Sequence, residues 1–217
     1  MQIPKDELDT GDILLFHHTN DCKSCYKCFF SCVTGLIECC TESQFSHVAI
    51  IIRDPQFTDP PLKGLYVMQP SFESFPYAED KKYKFGVELE EFNKVIASAQ
   101  PHDQIYWRKL QCNRDRNFYQ LLKEAHQELH NKPYDFYPED FINTLIHKQG
   151  GDGDNSQQTS SFFSSALVAY IYVQWGFLPY TTQWSRVTPK MFGSKNSGSE
   201  SYKLVFKNCR VYPEIQI

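Results

Sequence analysis

Serine side chains cluster at the start of the most apolar stretch of the chain, residues 158–177, which reads QTSSFFSSALVAYIYVQWGF. A segment that is apolar on nearly every face predicts a central buried helix. One hydroxyl, that of Thr159 or Ser160, is enough to cap such a helix. The further serines, Ser164 among them, raise the question whether one is a nucleophile that a neighbouring base activates.

His47 is a candidate for that base, because it stands immediately before the apolar run VAIII. An imidazole changes its charge near neutral pH and serves most often as the general base of enzymes. A lone histidine at the edge of a core is also commonly structural, with its ring nitrogens satisfied by neighbouring groups. The residue type and its position leave both roles open.

Cysteines form a third group of candidates, since six of the eight lie between residues 22 and 40. The four with the C-x2-C-x2-C-x3-C spacing of an iron–sulfur ligand run are Cys22, Cys25, Cys28 and Cys32. Val33 stands where such runs have proline, and the cysteines after Cys25 recur at helical spacing. Three interpretations stay open: a helix with cysteine as a small apolar residue, a zinc or iron–sulfur site, and lipid-modified thiols.

Composition indicates one globular domain over residues 1–217, with 41% hydrophobic and 15% aromatic residues. The net charge of −4 argues against a nucleic-acid partner, which usually binds a basic protein. The first residues do not resemble a signal peptide, and no run of 18 apolar residues predicts a membrane span. With so many cysteines expected to be reduced, we predict a cytoplasmic or virion-associated protein.

The pattern of apolar residues predicts strands in the first half of the chain and helices in the second. The runs that predict strands are DILLF, SHVAIIIRD, GLYVMQP, KFGVELEEF, DQIYWRKL and, at the end, YKLVFKNCRVY. Helical spacing predicts one helix in NRDRNFYQLLKEAHQELH and a short one in PEDFINTLIH. Strands followed by helices, without regular alternation, predict the α+β class.

Six short stretches resemble a known family, and they are spread over residues 10–192 in that family's order. They are TGDILLF, TESQFSHVAIII, LYVMQP, NKPYDF, SSFFSSALVAYIYVQWGFL and VTPKMF. The family is the circularly permuted NlpC-type papain-like thiol hydrolases, whose relatives include lecithin retinol acyltransferase-like enzymes and proteins of large DNA viruses. The resemblance implies an α+β fold in which an antiparallel sheet packs against a buried helix that carries the nucleophile.

The resemblance also implies a catalytic triad that runs histidine, polar residue, cysteine along the chain. His47 matches the histidine, and Gln69 matches the polar residue on the adjacent strand that orients the imidazole. Ser164 stands where the family has its nucleophilic cysteine. A helix N-terminus and a nearby imidazolium favour a thiolate at this position, whereas serine lacks the ionisable sulfur. The implied reaction is hydrolysis or transfer of an acyl group from an amide, ester or thioester, without metal or cofactor.

Four explanations of Ser164 stay open. They are an engineered Cys→Ser substitution in an active enzyme, a natural loss of the nucleophile that leaves a ligand-binding module, a working serine hydrolase, and a helix-start serine without a catalytic role. With serine present we expect little activity, because His47 must deprotonate a far weaker acid than a thiol. A metal-binding protein organised by the cysteine cluster is a separate alternative.

Three further features complete the expected site. The resemblance places Tyr134, in NKPYDF, near the nucleophile, although a tyrosine packing a helix end is an equally ordinary role. The segment from Asp21 to Glu42 matches a region that borders the family's cleft, and its apolar side chains favour a lipid or acyl substrate over a peptide and contact with a membrane surface. Asp12, in TGD, is expected to form a turn in which its carboxylate accepts backbone N–H groups.

Overall fold

A six-stranded sheet organises the residues that the computed structural model describes, which are 5–18, 45–72, 78–79, 85–100, 103–130, 164–194 and 204–217. Its strands are β1 (Ile13–His18), β2 (His47–Arg53), β3 (Leu65–Phe72), β4 (Phe85–Glu91), β5 (Asp103–Arg108) and β8 (Ile215–Gln216). Their order across the sheet is β4-β3-β2-β1-β5-β8, and each described pairing is antiparallel. β6 (Leu110–Gln111) and β7 (Arg210–Val211) form a separate two-stranded ladder. The predicted α+β class is confirmed.

Three α-helices and two short 3-10 helices, Trp184–Arg186 and Pro189–Phe192, accompany the strands in the described part of the chain. The α-helices are α1 (Phe92–Ala99), α2 (Arg116–Leu129) and α3 (Ser164–Gln174). The side chain of Asp115 caps α2 by accepting the N–H of Phe118 at 3.0 Å. The sequence reasoning missed α1, because the alternation of β4 runs directly into it, although Phe92, Val95 and Ile96 have helical spacing and are buried. No helix of the described residues has the length and apolarity needed to cross a membrane.

The two faces of the sheet bury separate sets of side chains, as the period of a strand requires. Val48 and Ile50 of β2 belong to the core that includes α2 and α3, whereas Ala49 and Ile51 belong to the core that includes α1. Residues 164–172 of α3 are all buried. The expectation of a central helix that is covered on every side is therefore confirmed.

Asp12 ties the turn before β1 to the end of β5, and its carboxylate accepts backbone N–H groups as the sequence predicted. It is fully buried and accepts the N–H groups of Leu110 at 2.9 Å and Asp9 at 3.1 Å, and the indole N–H of Trp107 at 2.8 Å. Arg114 approaches the carboxylate to 3.5 Å. Burial raises the pKa of the Asp12 carboxyl, although these hydrogen bonds and the guanidinium oppose the rise. Asp12 is thus a structural acid.

Gly11, in the same turn, is required by the backbone. Its φ of +96° is one that side-chain-bearing residues rarely adopt, and a Cβ there would lie 2.6 Å from a methyl group of Leu110. The Gly11 N–H donates to the carbonyl of Ile51 at 2.8 Å, and its own carbonyl accepts the hydroxyl of Tyr172 at 2.7 Å. The turn therefore connects β2 to α3.

Candidate catalytic site

The first of the predicted site residues, His47, begins β2 at the place where β2 and β3 cease to pair. Their described register ends with Ile50 opposite Met68. Continued by two residues, it would set Pro70 opposite Val48, and a proline has no N–H to donate to the ladder. The end of β2 is consequently left without a complete backbone partner on its β3 side.

Gln69 bridges this gap with its side chain. Its Oε1 lies 3.0 Å from Nε2 of His47, and its Nε2 donates to a carboxylate oxygen of Glu90 at 2.9 Å. Because Glu90 accepts from the amide nitrogen, the amide oxygen is turned toward the imidazole. Nε2 of His47 therefore carries the hydrogen, and in the neutral ring the lone pair remains on Nδ1, for which the described residues provide no hydrogen-bond partner.

Ser164, the first residue of α3, reaches the same end of β2 from the helix. Its hydroxyl oxygen is 3.4 Å from the backbone nitrogen of Val48 and accepts that N–H, and the residue is 4% exposed. Standard backbone geometry then puts this oxygen within about 6 Å of the Cα of His47. In effect the serine oxygen takes the place of the carbonyl that a continued β3 would offer.

The described residues show no direct hydrogen bond between the His47 imidazole and the Ser164 hydroxyl. The ring of His47 packs edge-on against Phe16, with centroids 5.2 Å apart, and Phe16 belongs to the core on the α1 side. Ser164 belongs to α3, on the other side of the sheet, so proton transfer between the two groups needs the ring to turn toward α3. Catalytic hydrogen bonds are often longer before a substrate is bound.

The surroundings of His47 favour its neutral form. Burial of the ring lowers the pKa of His47, while the hydrogen bond to Gln69 and the charge of Asp103 oppose the decrease. A neutral imidazole at neutral pH is the form that can accept a proton from a nucleophile. The free energy of unfolding therefore decreases as the pH falls below about 6.5, because the imidazole of His47 binds a proton more readily in the unfolded chain than in the folded one.

A substitution at Gln69 tests how far its hydrogen bond opposes the effect of burial on the pKa of His47. We expect NMR titration of the ring protons to give His47 a pKa below the ordinary 6.5, and a still lower value in Gln69→Leu, because the hydrogen bond that favours the charged ring is lost. Gln120→Leu, at an exposed position of α2, is the matched control and should leave the pKa unchanged. An unchanged or raised pKa in Gln69→Leu would contradict the assigned contact.

Sequence reasoning did not single out Glu90, which is 2% exposed and completes the chain of hydrogen bonds from His47. The alternation in β4 contained a signal, since Glu88 and Glu90 alternate with the buried Val87 and Leu89. In a sheet covered on one face such acids would face water. Here α1 covers the second face, and both acids are buried.

Several predicted features lie outside the described residues. They are Tyr134, the cysteine run Cys22, Cys25, Cys28 and Cys32, the segment from Asp21 to Glu42, the capping residues Thr159 and Ser160, and the short helix predicted in PEDFINTLIH. The structure brings His47 and Gln69 into contact and places the Ser164 hydroxyl at the backbone N–H of Val48, the residue after His47. Their joint role as a catalytic triad and the other features stay predictions.

The chain matches no protein-family model and no curated protein. Among solved structures it is similar to the metalloprotein yiiX from Escherichia coli O157:H7, with 18% sequence identity and a TM-score of 0.42. The similarity covers 76% of this chain and 65% of the yiiX chain, so this protein spans less than two thirds of the length of yiiX. A TM-score at this level defines neither a shared fold nor a shared activity.

Proposed function

We propose that this protein is a circularly permuted papain-like enzyme of the NlpC type, a hydrolase or acyltransferase whose nucleophile position is occupied by Ser164. The observation that carries the proposal is the convergence at one end of β2. There the His47 imidazole is held by Gln69 and Glu90, and the first side chain of a buried helix lies one residue away. We expect the enzyme to act in the cytoplasm or in a virion.

In the cysteine form, the thiol at position 164 loses its proton to Nδ1 of His47, and the sulfur attacks the carbonyl carbon of an amide, ester or thioester. Gln69 keeps the hydrogen on Nε2, so that Nδ1 is the basic nitrogen. N–H groups of the first turn of α3 are available to stabilise the oxyanion of the tetrahedral intermediate. The imidazolium then protonates the leaving group, and the acyl group stays on sulfur.

The second half of the reaction regenerates the thiol. Water, or an acceptor in a transferase, gives its proton to Nδ1 and attacks the acyl carbon, and the thiolate leaves and is protonated again. With Ser164 in place the first step is slow, because a hydroxyl is a much weaker acid than a thiol. A ligand-binding module with the same cleft is the second candidate, and the serine itself is the observation that favours it.

The proposal is tested by restoring sulfur. We expect Ser164→Cys, incubated with p-nitrophenyl esters, acyl thioesters and peptide esters, to gain the mass of one acyl group at residue 164. The reason is that an activated thiolate forms an acyl-enzyme. Intact-mass spectrometry and peptide mapping measure the product, and the panel also distinguishes an acyl or lipid substrate, which we favour, from a peptide substrate.

Two variants serve as controls. Ser165→Cys places a thiol on the same helix turn, at a side chain that is directed to the carbonyl of Val187 at 2.6 Å, and should not be acylated. Ser164→Cys combined with His47→Ala keeps the thiol and removes the base, and should acylate much more slowly. If all three thiols react alike, the enzyme assignment is wrong. If none reacts although the same ligands bind, the binding module is the correct function.

A further inference from the structure

A second cluster of chemically active side chains lies apart from the catalytic residues. It consists of Glu79, in the connection between β3 and β4, and of His126 and His130, one turn apart at the end of α2. The backbone fixes both sides of the cluster. Ala78 donates its N–H to the carbonyl of Leu89 at 3.0 Å, and His130 donates its N–H to the carbonyl of His126 at 2.7 Å.

The donor atoms of the three side chains converge on one point. Nε2 of His126 lies 3.2 and 3.3 Å from the two carboxylate oxygens of Glu79, and Nδ1 of His130 lies 3.0 Å from one of them. All the ligand atoms lie within 4.8 Å of one another. Ligands bound to a tetrahedral ion at about 2.0–2.1 Å are separated by about 3.3 Å. The carboxylate and the imidazoles therefore already have nearly the spacing that a bound ion imposes.

The surroundings of the cluster suit a bound cation. The ring of His126 packs at a tilt against Phe57, with centroids 4.6 Å apart, and against the ring of His130, with centroids 5.0 Å apart. The side chains are shielded, with exposed fractions of 9% for His126, 12% for Glu79 and 26% for His130. Burial opposes ionisation of Glu79, but its hydrogen bonds to the two histidines outweigh this and hold the pKa of the carboxyl at about 2. The site thus offers one carboxylate and two imidazole nitrogens as ligands.

We propose that Glu79, His126 and His130 bind one divalent transition-metal ion, of the zinc class, which fastens the β3–β4 connection to the end of α2. Two imidazoles and a carboxylate favour zinc or its neighbours over magnesium and calcium, which prefer sites made of oxygen ligands alone. Three protein ligands leave a position for water or a further donor. Because its ligands come from two separate segments, the ion stabilises the fold by binding only the folded state.

The test titrates the chelator-treated full chain with Zn²⁺, and with Mg²⁺ for comparison, by calorimetry and by thermal unfolding. We expect tight binding of Zn²⁺ with a rise in Tm, and no comparable effect of Mg²⁺. Glu79→Gln and His130→Gln should each weaken the binding at least about 100-fold, since even residues that only support a metal ligand are worth 10–100-fold. Glu124→Gln, at an exposed position of α2, is the control and should bind like the original chain.

The cysteines need a separate control, because thiolates also bind zinc. A variant that has serine at all six cysteines of residues 22–40 should keep the site, and its Co²⁺ complex should show ligand-field bands without the intense thiolate charge-transfer band. Zn²⁺ binding that is unaffected by Glu79→Gln and His130→Gln would overturn the proposal. A Co²⁺ spectrum of thiolate type in the variant that has serine at all six of these positions would do the same. So would the absence of Zn²⁺ binding in the original chain.

Discussion

The Ser164→Cys protein is expected to carry a thiol that iodoacetamide modifies faster than any of the eight native cysteines, and that remains reactive at pH 6.5. A free cysteine has a pKa of about 8.5, whereas cysteines at helix N-termini or beside a histidine have values of about 3.5–7.5. We expect both features at position 164, and the Val48 N–H that Ser164 now accepts is an additional donor for a thiolate. If the thiol at position 164 has a pKa of about 6.5, within this range, its thiolate population at pH 6.5 is about 50-fold that of a free cysteine.

Lower basicity also makes a thiolate a weaker nucleophile, so the net gain over an ordinary exposed cysteine is about 5–10-fold. The gain over the described native cysteines is larger. Burial raises the pKa of Cys112, and burial together with the charge of Cys112 raises that of Cys209 to about 12. Against Cys209 we expect a rate ratio of about 10²–10³ at pH 6.5.

The measurement is the rate of alkylation of each cysteine, followed by peptide mass spectrometry from pH 5 to pH 9. His47→Ala in the Ser164→Cys background should shift the reactive limb of the profile to higher pH, because the imidazolium no longer stabilises the thiolate. Ser165→Cys shares the helix and lacks the contact with Val48, and should alkylate slowly throughout. Equal or slower modification of position 164 would remove it as a nucleophile position.

Replacing Asp12 by alanine is expected to lower the free energy of unfolding by about 3–5 kcal/mol, the cost of breaking a buried charged pair. The substitution leaves the N–H groups of Leu110 and Trp107 buried without their acceptor. It also removes one of the two carboxylates that pair with the Arg114 guanidinium, the other being that of Asp9. Asp12→Asn keeps one acceptor oxygen and should lose less. Urea unfolding of the three proteins gives the difference.

A surface carboxylate provides the comparison. Glu7 lies 3.6 Å from Lys109 with 62% of its side chain exposed, so Glu7→Gln should change the free energy of unfolding by less than about 1 kcal/mol. If Asp12→Ala costs no more than Glu7→Gln, the carboxylate does not have the structural role assigned to it. Because the same turn joins β2 to α3, Asp12→Ala should also slow alkylation of the Ser164→Cys form.

The strands and the buried helix could be predicted from local patterns, since apolar runs such as VAIII and SALVAYIYV have few alternatives to burial. The contact between His47 and Gln69 was expected only from resemblance, and the structure brings the two side chains to 3.0 Å. Glu90 could not be predicted, because its burial depends on α1 covering the second face of the sheet. The permuted papain-like topology stays a prediction.

The partner of Ser164 was the hardest feature to predict. It is a backbone N–H, which no side-chain identity reveals, and it is available because the ladder between β2 and β3 stops short of Pro70. Predicting it needs the register of two strands and the position of a helix end together. Local sequence determines neither, because register depends on long-range pairing.

Residue 164 is held by the backbone N–H of Val48, so the shape of this site does not depend on how reactive the side chain at position 164 is. The Val48 N–H can donate to oxygen or to sulfur at residue 164 with little change in shape, so a single-atom exchange between serine and cysteine preserves the scaffold. On the proposed function, this one exchange is the whole difference between an enzyme and a receptor for the same substrate.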